Sequence, residues 1–152
     1  MKRSLSLLFG TLLVAAGFLS DKRQCMRIWD IDPKYLCRNH LLGEHNELHA
    51  IWSVITQGRK GYRHHPETRR WKGRLRALYD VHQKIVQEME SRGYRHHSPL
   101  DKELAKGIKV QDLFVDSVER QMAILGKKGC SCILSQPRSR VGHDGKSREV
   151  GR

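Results

Sequence analysis

Aromatic residues are scarce in this chain of 152 residues: Phe, Trp and Tyr together make up 7%. That is too few for a surface built on base-stacking platforms, which excludes a general single-strand binder of that design. Acidic residues are short as well, 16 against 29 Lys and Arg, leaving a net charge of +13. The natural partner of such a chain is a polyanion, either nucleic acid or an anionic membrane surface. Cysteine is limited to Cys25, Cys37, Cys130 and Cys132. Cys37 lies beside a predicted helix, and Cys130 and Cys132 alternate as in a strand, so a disulfide framework is not expected. C-x-C is a poor metal signal without a second pair, and reduced thiols in a cytoplasmic protein fit better. The length allows one modest domain with tails.

Long hydrophobic runs are missing after residue 20. Before it, "MKRSLSLLFGTLLVAAGFLS" sets Lys2 and Arg3 ahead of an apolar run from Leu5 to Leu19, with Ala15 and Gly17 at cleavage spacing. This is the outline of a secretory signal peptide, and it is too short for a membrane span. The other reading is an extension ahead of a true start at Met26. The first reading implies export, the second a cytoplasmic protein with no membrane partner for the mature domain.

The remaining pattern is helical. Asp32 caps a short turn with Pro33 at its first position. Periodicity predicts a first long helix from about Asn39 to Gln57, closed by Gly58, and a second from near Pro66 to Gly93. Along the second, Trp71, Leu75, Leu78, His82, Ile85 and Met89 form a core stripe. Its other side carries Arg69, Arg70, Lys72, Arg74 and Arg76, with no acid between Glu67 and Asp80. An uninterrupted block of this kind suits phosphate contact. "GYRHH" occurs at 61–65 and again at 93–97, each time just past a helical segment, as loop residues near phosphates. Asp116 and Glu119 form a capping box for a third helix, 117–125, stopped by Gly126. "CSCILS" then reads as a short strand, and from Pro137 the chain has no apolar period. The expected organisation is an all-α compact domain over 26–135, preceded by 1–25 and followed by a disordered basic tail over 136–152.

Within the first helix, "HLLGEHNELHAIW" holds three histidines and two glutamates. His40, Glu44, Glu47 and Ile51 share one stripe; Leu41, Leu48, Trp52 and Ile55 share another, with His45 beside them. A zinc-protease helix places its glutamate directly after the first histidine, as H-E-x-x-H. Here the order is H-N-E-L-H, which turns Glu47 away from His45 and His49, so no metal is expected.

These residues resemble a known family. "MRIWDIDPKYLCRNHLLGEHNELHAIW" is similar to the N-terminal segment of the pyrimidine-dimer DNA glycosylases, the phage-type endonuclease V family. The shared features are an Arg-Ile pair at the mature N-terminus, then His40-Leu41-x-x-Glu44-x-x-Glu47-Leu48 at the same distance from it. "GRLRALYDVHQKIVQEMESRGY" is similar to that family's long helix, and the likeness covers roughly residues 26–100. The resemblance implies an all-helical monomer that binds damaged double-stranded DNA, cleaves the glycosidic bond at the dimer's 5′ nucleotide and then cuts at the abasic sugar, without a cofactor. It implies that the α-amine of a chain begun at Met26 is the nucleophile and that Glu47 is the catalytic acid, with Glu44 in support. Arg27, His40, Asn46, Arg59, Lys60, Arg63, Arg70 and Arg74 are the expected DNA contacts.

The chemistry is sound on its own terms. An α-amine of ordinary pKa is roughly 10–15% neutral at pH 7, whereas a lysine is about 0.04% neutral. Three departures from the family stand out. Met26 replaces its N-terminal threonine, Asn46 and Ala50 replace arginines around the acid, and the aromatic-rich C-terminus gives way to the third helix and "GCSC". Two rivals remain: a non-catalytic basic DNA-binding protein in which Glu47 is structural, and an exported metal-binding protein using the nine histidines.

Overall fold

Leu41, Leu48, Ile51 and Trp52 recur in steps of three and four, and burying that stripe makes α1 (Arg38–Thr56) the centre of the domain. The structure is a computed structural model and describes residues 26–133. A 3-10 turn, Pro33–Tyr35, leads into α1; Asp32 caps it by accepting the Lys34 N–H at 3.1 Å, and Pro33 holds its first position, as expected. The helix ends at Gln57, next to Gly58. All regular structure among the described residues is helical, and no helix there is long and apolar enough to cross a membrane.

The predicted second long helix is two helices. α2 (Pro66–Trp71) stops at Lys72, and α3 (Leu75–Ser91) starts after Arg74. Between them Gly73 has φ +74°, a left-handed backbone that other residues adopt only under strain. The chain after the second 3-10 turn, Lys102–Leu104, folds back onto this break. Ile108 N–H donates to the Gly73 carbonyl at 2.9 Å. Arg76 and Ala77, whose N–H groups a helix start leaves without internal partners, donate to Lys106 and Ile108 carbonyls at 3.0 and 3.3 Å. The returning segment thus caps α3 with its own backbone. It does so at such close range that a Cβ on Gly107 would lie 2.1 Å from the Gly73 oxygen.

α3 packs Leu78, His82, Ile85 and Met89 against α1, confirming the core stripe. α4 (Val118–Lys127) is capped one residue later than predicted: the Ser117 hydroxyl, not an Asp116–Glu119 box, accepts the Arg120 N–H at 3.3 Å. Gly126 lies inside the helix, and the left-handed stop falls at Gly129, φ +61°. Cys130–Ile133 forms no strand; the rest of "CSCILS", the segment 1–25 and the tail 136–152 lie outside the described residues.

α4 closes the domain by gripping its beginning. Buried Gln121 accepts the Asp30 N–H and donates to the Asp30 carboxylate, both at 2.8 Å. Arg27 pairs with Asp116 at 2.7 Å, and Ile133 N–H donates to the Tyr35 carbonyl at 2.8 Å.

Candidate active site

The segment from Met26 to Ile31 has no regular secondary structure and is almost wholly buried, so its amides need partners from elsewhere. Two acids supply them. Glu44, on α1, accepts the Trp29 N–H at 3.0 Å; Glu67, on α2, accepts the Ile28 N–H at 3.3 Å. The Met26 sulfur takes the Thr68 hydroxyl at 3.6 Å. Burial pushes the Glu44 carboxyl well above the ordinary carboxylate value, with the Asp30 and Glu67 charges adding to the effect against the Trp29 N–H. Its second oxygen has no hydrogen-bond partner among the described residues.

Glu47 stands one turn further along α1 and is half-buried. Burial raises its pKa, the nearby His65 pulls it down, and Glu67 pushes it up. Glu67 therefore reaches both Glu47 and the backbone two residues from Met26. The first residues of the domain, Glu44, Glu47 and Glu67 form one acidic neighbourhood inside a basic protein.

Arg70 is the correction to the expected DNA surface. Only 5% exposed, it lies inside the domain. Its guanidinium donates to Glu67 and Asp30 carboxylates at 2.7 and 2.8 Å, and to the Ile28 and Leu113 carbonyls at 2.9 and 3.1 Å. With its donors committed there, it has none to offer a phosphate. Arg74 is pinned by the Val110 carbonyl at 2.7 Å and Asp112 at 2.8 Å. Arg27 is tied to Asp116 and stacks over Trp29, 5.3 Å from the ring centre. Asn46, Arg59, Lys60 and Arg63 are exposed, as are Arg69 and Lys72 of the basic block. Tyr62, in the same loop as Arg59 and Arg63, is 65% exposed and has φ +56°. Its place in "GYRHH" gave no hint of a projecting ring.

His40 faces a group of thiols. Its Nδ1 lies 3.1 Å from Cys37 Sγ and 3.4 Å from Cys132 Sγ, with Cys130 in the same group. The C-x-C pair, set aside for want of a second pair, has one in Cys37-x-x-His40. The other histidines of α1 also meet unexpected partners: His45 and His49 converge with His82 of α3 and His96 of the second "GYRHH". His82 does sit in the core stripe, but as one of four rings, and His96 is no phosphate-facing loop residue. In each cluster the four ligand atoms lie within 4.8 Å of one another. Burial lowers the pKa of His45 to about 4 and of His82 to about 3, helped by the neighbouring imidazoles, so both are neutral at pH 7.

Residues 26–102, just over half of the chain, match the family described as pyrimidine dimer DNA glycosylase. No curated protein and no solved structure matches.

Proposed function

Because the chain belongs to the pyrimidine dimer DNA glycosylase family, we propose that it is a DNA repair glycosylase with strand-cleaving lyase activity on UV-induced pyrimidine dimers in duplex DNA. The nucleophile is the α-amine of a chain that begins at Met26, and Glu47 is the catalytic acid. The observation that carries this is the fastening of the first residues: Glu44 and Glu67 hold the Trp29 and Ile28 amides, and Glu67 also acts on Glu47, one turn beyond Glu44 on α1. A first segment anchored in this way gives a chain begun at Met26 little of the freedom that slows an intermolecular attack.

The reaction then runs in balanced steps. The amine nitrogen bonds to sugar C1′ as the bond from C1′ to the 5′ pyrimidine breaks, and the base leaves with the electron pair and takes up a proton. Loss of the nitrogen's proton and opening of the sugar ring leave an imine. A C2′ proton is removed, the electrons expel the 3′ phosphate, and the strand is cut. Water finally releases the aldehyde and restores the amine. Glu47 supports positive charge at C1′ and carries protons between these steps. Phosphate contact falls to the exposed Arg59, Lys60, Arg63, Arg69 and Lys72.

In a chain that retains residues 1–25 the Met26 nitrogen is an amide, with no nucleophilic lone pair. The full-length chain is therefore expected to be inactive as a lyase, and a chain starting at Met26 active on dimer-containing and abasic duplex. Borohydride should trap the active form on DNA through its N-terminal residue, and acetylating the amine should abolish trapping. Glu47→Gln should slow cleavage by at least ~10²-fold with binding retained. A borohydride adduct mapped to a lysine in both forms would show that the N-terminal mechanism is wrong. Binding without cleavage in every form would leave a non-catalytic DNA-binding protein.

A further inference from the structure

The strand-cutting chemistry uses none of the four residues that meet where α1 begins and the chain after α4 ends, and Cys130 and Cys132 lie beyond the family match. We propose that Cys37, His40, Cys130 and Cys132 bind a structural Zn²⁺ that fastens the C-terminal segment to the start of α1. Three sulfurs and one imidazole form a donor set that zinc takes in closed, four-coordinate sites. The spacing fits. Ligands about 2.3 Å (sulfur) and 2.0–2.1 Å (nitrogen) from a tetrahedral ion stand roughly 3.4–3.8 Å apart. Here His40 Nδ1 is 3.1 Å from Cys37 Sγ and 3.4 Å from Cys132 Sγ, and all four donors fall within 4.8 Å.

The surroundings are those of a thiolate centre. The Cys37 N–H points at Cys132 Sγ from 3.1 Å, the amide-to-sulfur bond that steadies a charged sulfur. Lys128 is close enough to act electrostatically on His40. Loading the site turns three thiols into thiolates, releases three protons, and leaves a net charge of −1 for that lysine to offset.

A separate observation assigns a second ion to the four histidines. His49 Nε2 lies 3.2 Å from the Nε2 atoms of both His45 and His82, and His96 Nε2 lies 3.1 Å from that of His45. Four imidazoles thus aim the same ring nitrogen at one point, close to the roughly 3.3–3.4 Å separation of nitrogens around tetrahedral zinc. Hydrogen bonds among the rings do not satisfy this arrangement. His49 Nε2 faces two neighbours, and a nitrogen of a neutral imidazole carries either a proton or a lone pair, so it cannot donate to one ring and accept from the other. An ion accepts all four lone pairs at once. It would join α1, α3 and the segment after α3, and with four protein ligands it would have no open position for chemistry.

The test uses the full-length chain, purified without chelator, and counts zinc by elemental analysis. Two ions per chain are expected. Cys132→Ser should remove one, and His49→Ala the other. Replacing zinc with Co²⁺ in the unaltered protein requires no variant to fold. The cysteine centre should give strong thiolate-to-cobalt charge-transfer absorption in the near ultraviolet, and the histidine centre only weak visible bands. One zinc ion overturns whichever centre's variant fails to release it. No zinc and no cobalt absorption overturn both centres, and a Cys37–Cys132 disulfide in the purified protein overturns the first.

Discussion

Replacing Arg70 by methionine keeps most of the side-chain length and removes the charge at the point where three parts of the domain meet. The guanidinium binds Glu67 on its own helix, Asp30 and the Ile28 carbonyl in the first segment, and the Leu113 carbonyl after the second 3-10 turn. Glu67 is 2% exposed, so removing Arg70 strands a carboxylate with almost no access to water. Breaking a buried pair from one side costs about 3–5 kcal/mol, most of it from the orphaned charge. For a domain of roughly 100 residues this lowers the melting temperature by about 15–25 °C. Urea and thermal unfolding of Arg70→Met give the loss directly. The double variant Arg70→Met/Glu67→Gln should recover a large part of it, because the stranded charge is gone. A loss below about 1 kcal/mol, together with a shallower salt dependence of duplex binding, would refute the reasoning. Arg70 would then face DNA, not the interior.

Four further outcomes are expected. Gly107→Ala should destabilise by ~2–4 kcal/mol in urea unfolding, because its Cβ would stand 2.1 Å from the Gly73 oxygen at φ +89°. Gly43→Ala, in the middle of α1 with nothing within 4 Å of the added carbon, should instead stabilise by ~0.5–1 kcal/mol. Lys60→Gln with Arg63→Gln should flatten the slope of log K against log salt by about 1.8 for duplex DNA, damaged or not, measured by fluorescence anisotropy. Gln121→Leu leaves the Asp30 amide and carboxylate and the Asp116 carbonyl short of their partner, and should cost ~1–3 kcal/mol. Its cleavage rate should fall further than its duplex affinity, since it loosens the first segment and not the basic loop.

Local signals carried α1 and the end of α3. Their apolar stripes are long, and Gly58 and Gly93 follow them at once. The break at Gly73 was hidden because Trp71 and Leu78 keep one helical phase across it, and an interior glycine costs a helix only about 1 kcal/mol. What decides the matter is the segment around Gly107, more than thirty residues away. Arg70 misled for a related reason: sequence displays a charge but not the Asp30 that neutralises it from forty positions away. Glu47 became a candidate only through the family resemblance, since two carboxylates one turn apart are ordinary on a helix. Both four-ligand clusters were half visible, as His45-x-x-x-His49 and as Cys130-x-Cys132, and each was set aside for lacking the half that folding supplies. Nine histidines in one chain, and Cys37-x-x-His40 sought as a partner pair, were the signals that would have found them.

The grip of α4 on the first segment also sets an order in time. The bonds that hold Asp30 and Cys37 come from residues 91 and 95 positions later. At about 5–20 residues per second, a ribosome makes the early segment wait roughly 5–20 s for its clasp to be synthesised. During that interval Glu44, Glu67 and Arg70 are its holds. A nascent chain released before Gln121 would carry the whole family-matched stretch and every residue assigned to the reaction. It would still lack the latch that holds its first segment, so premature termination should yield a chain with the family-matched stretch entire and its beginning loosely held.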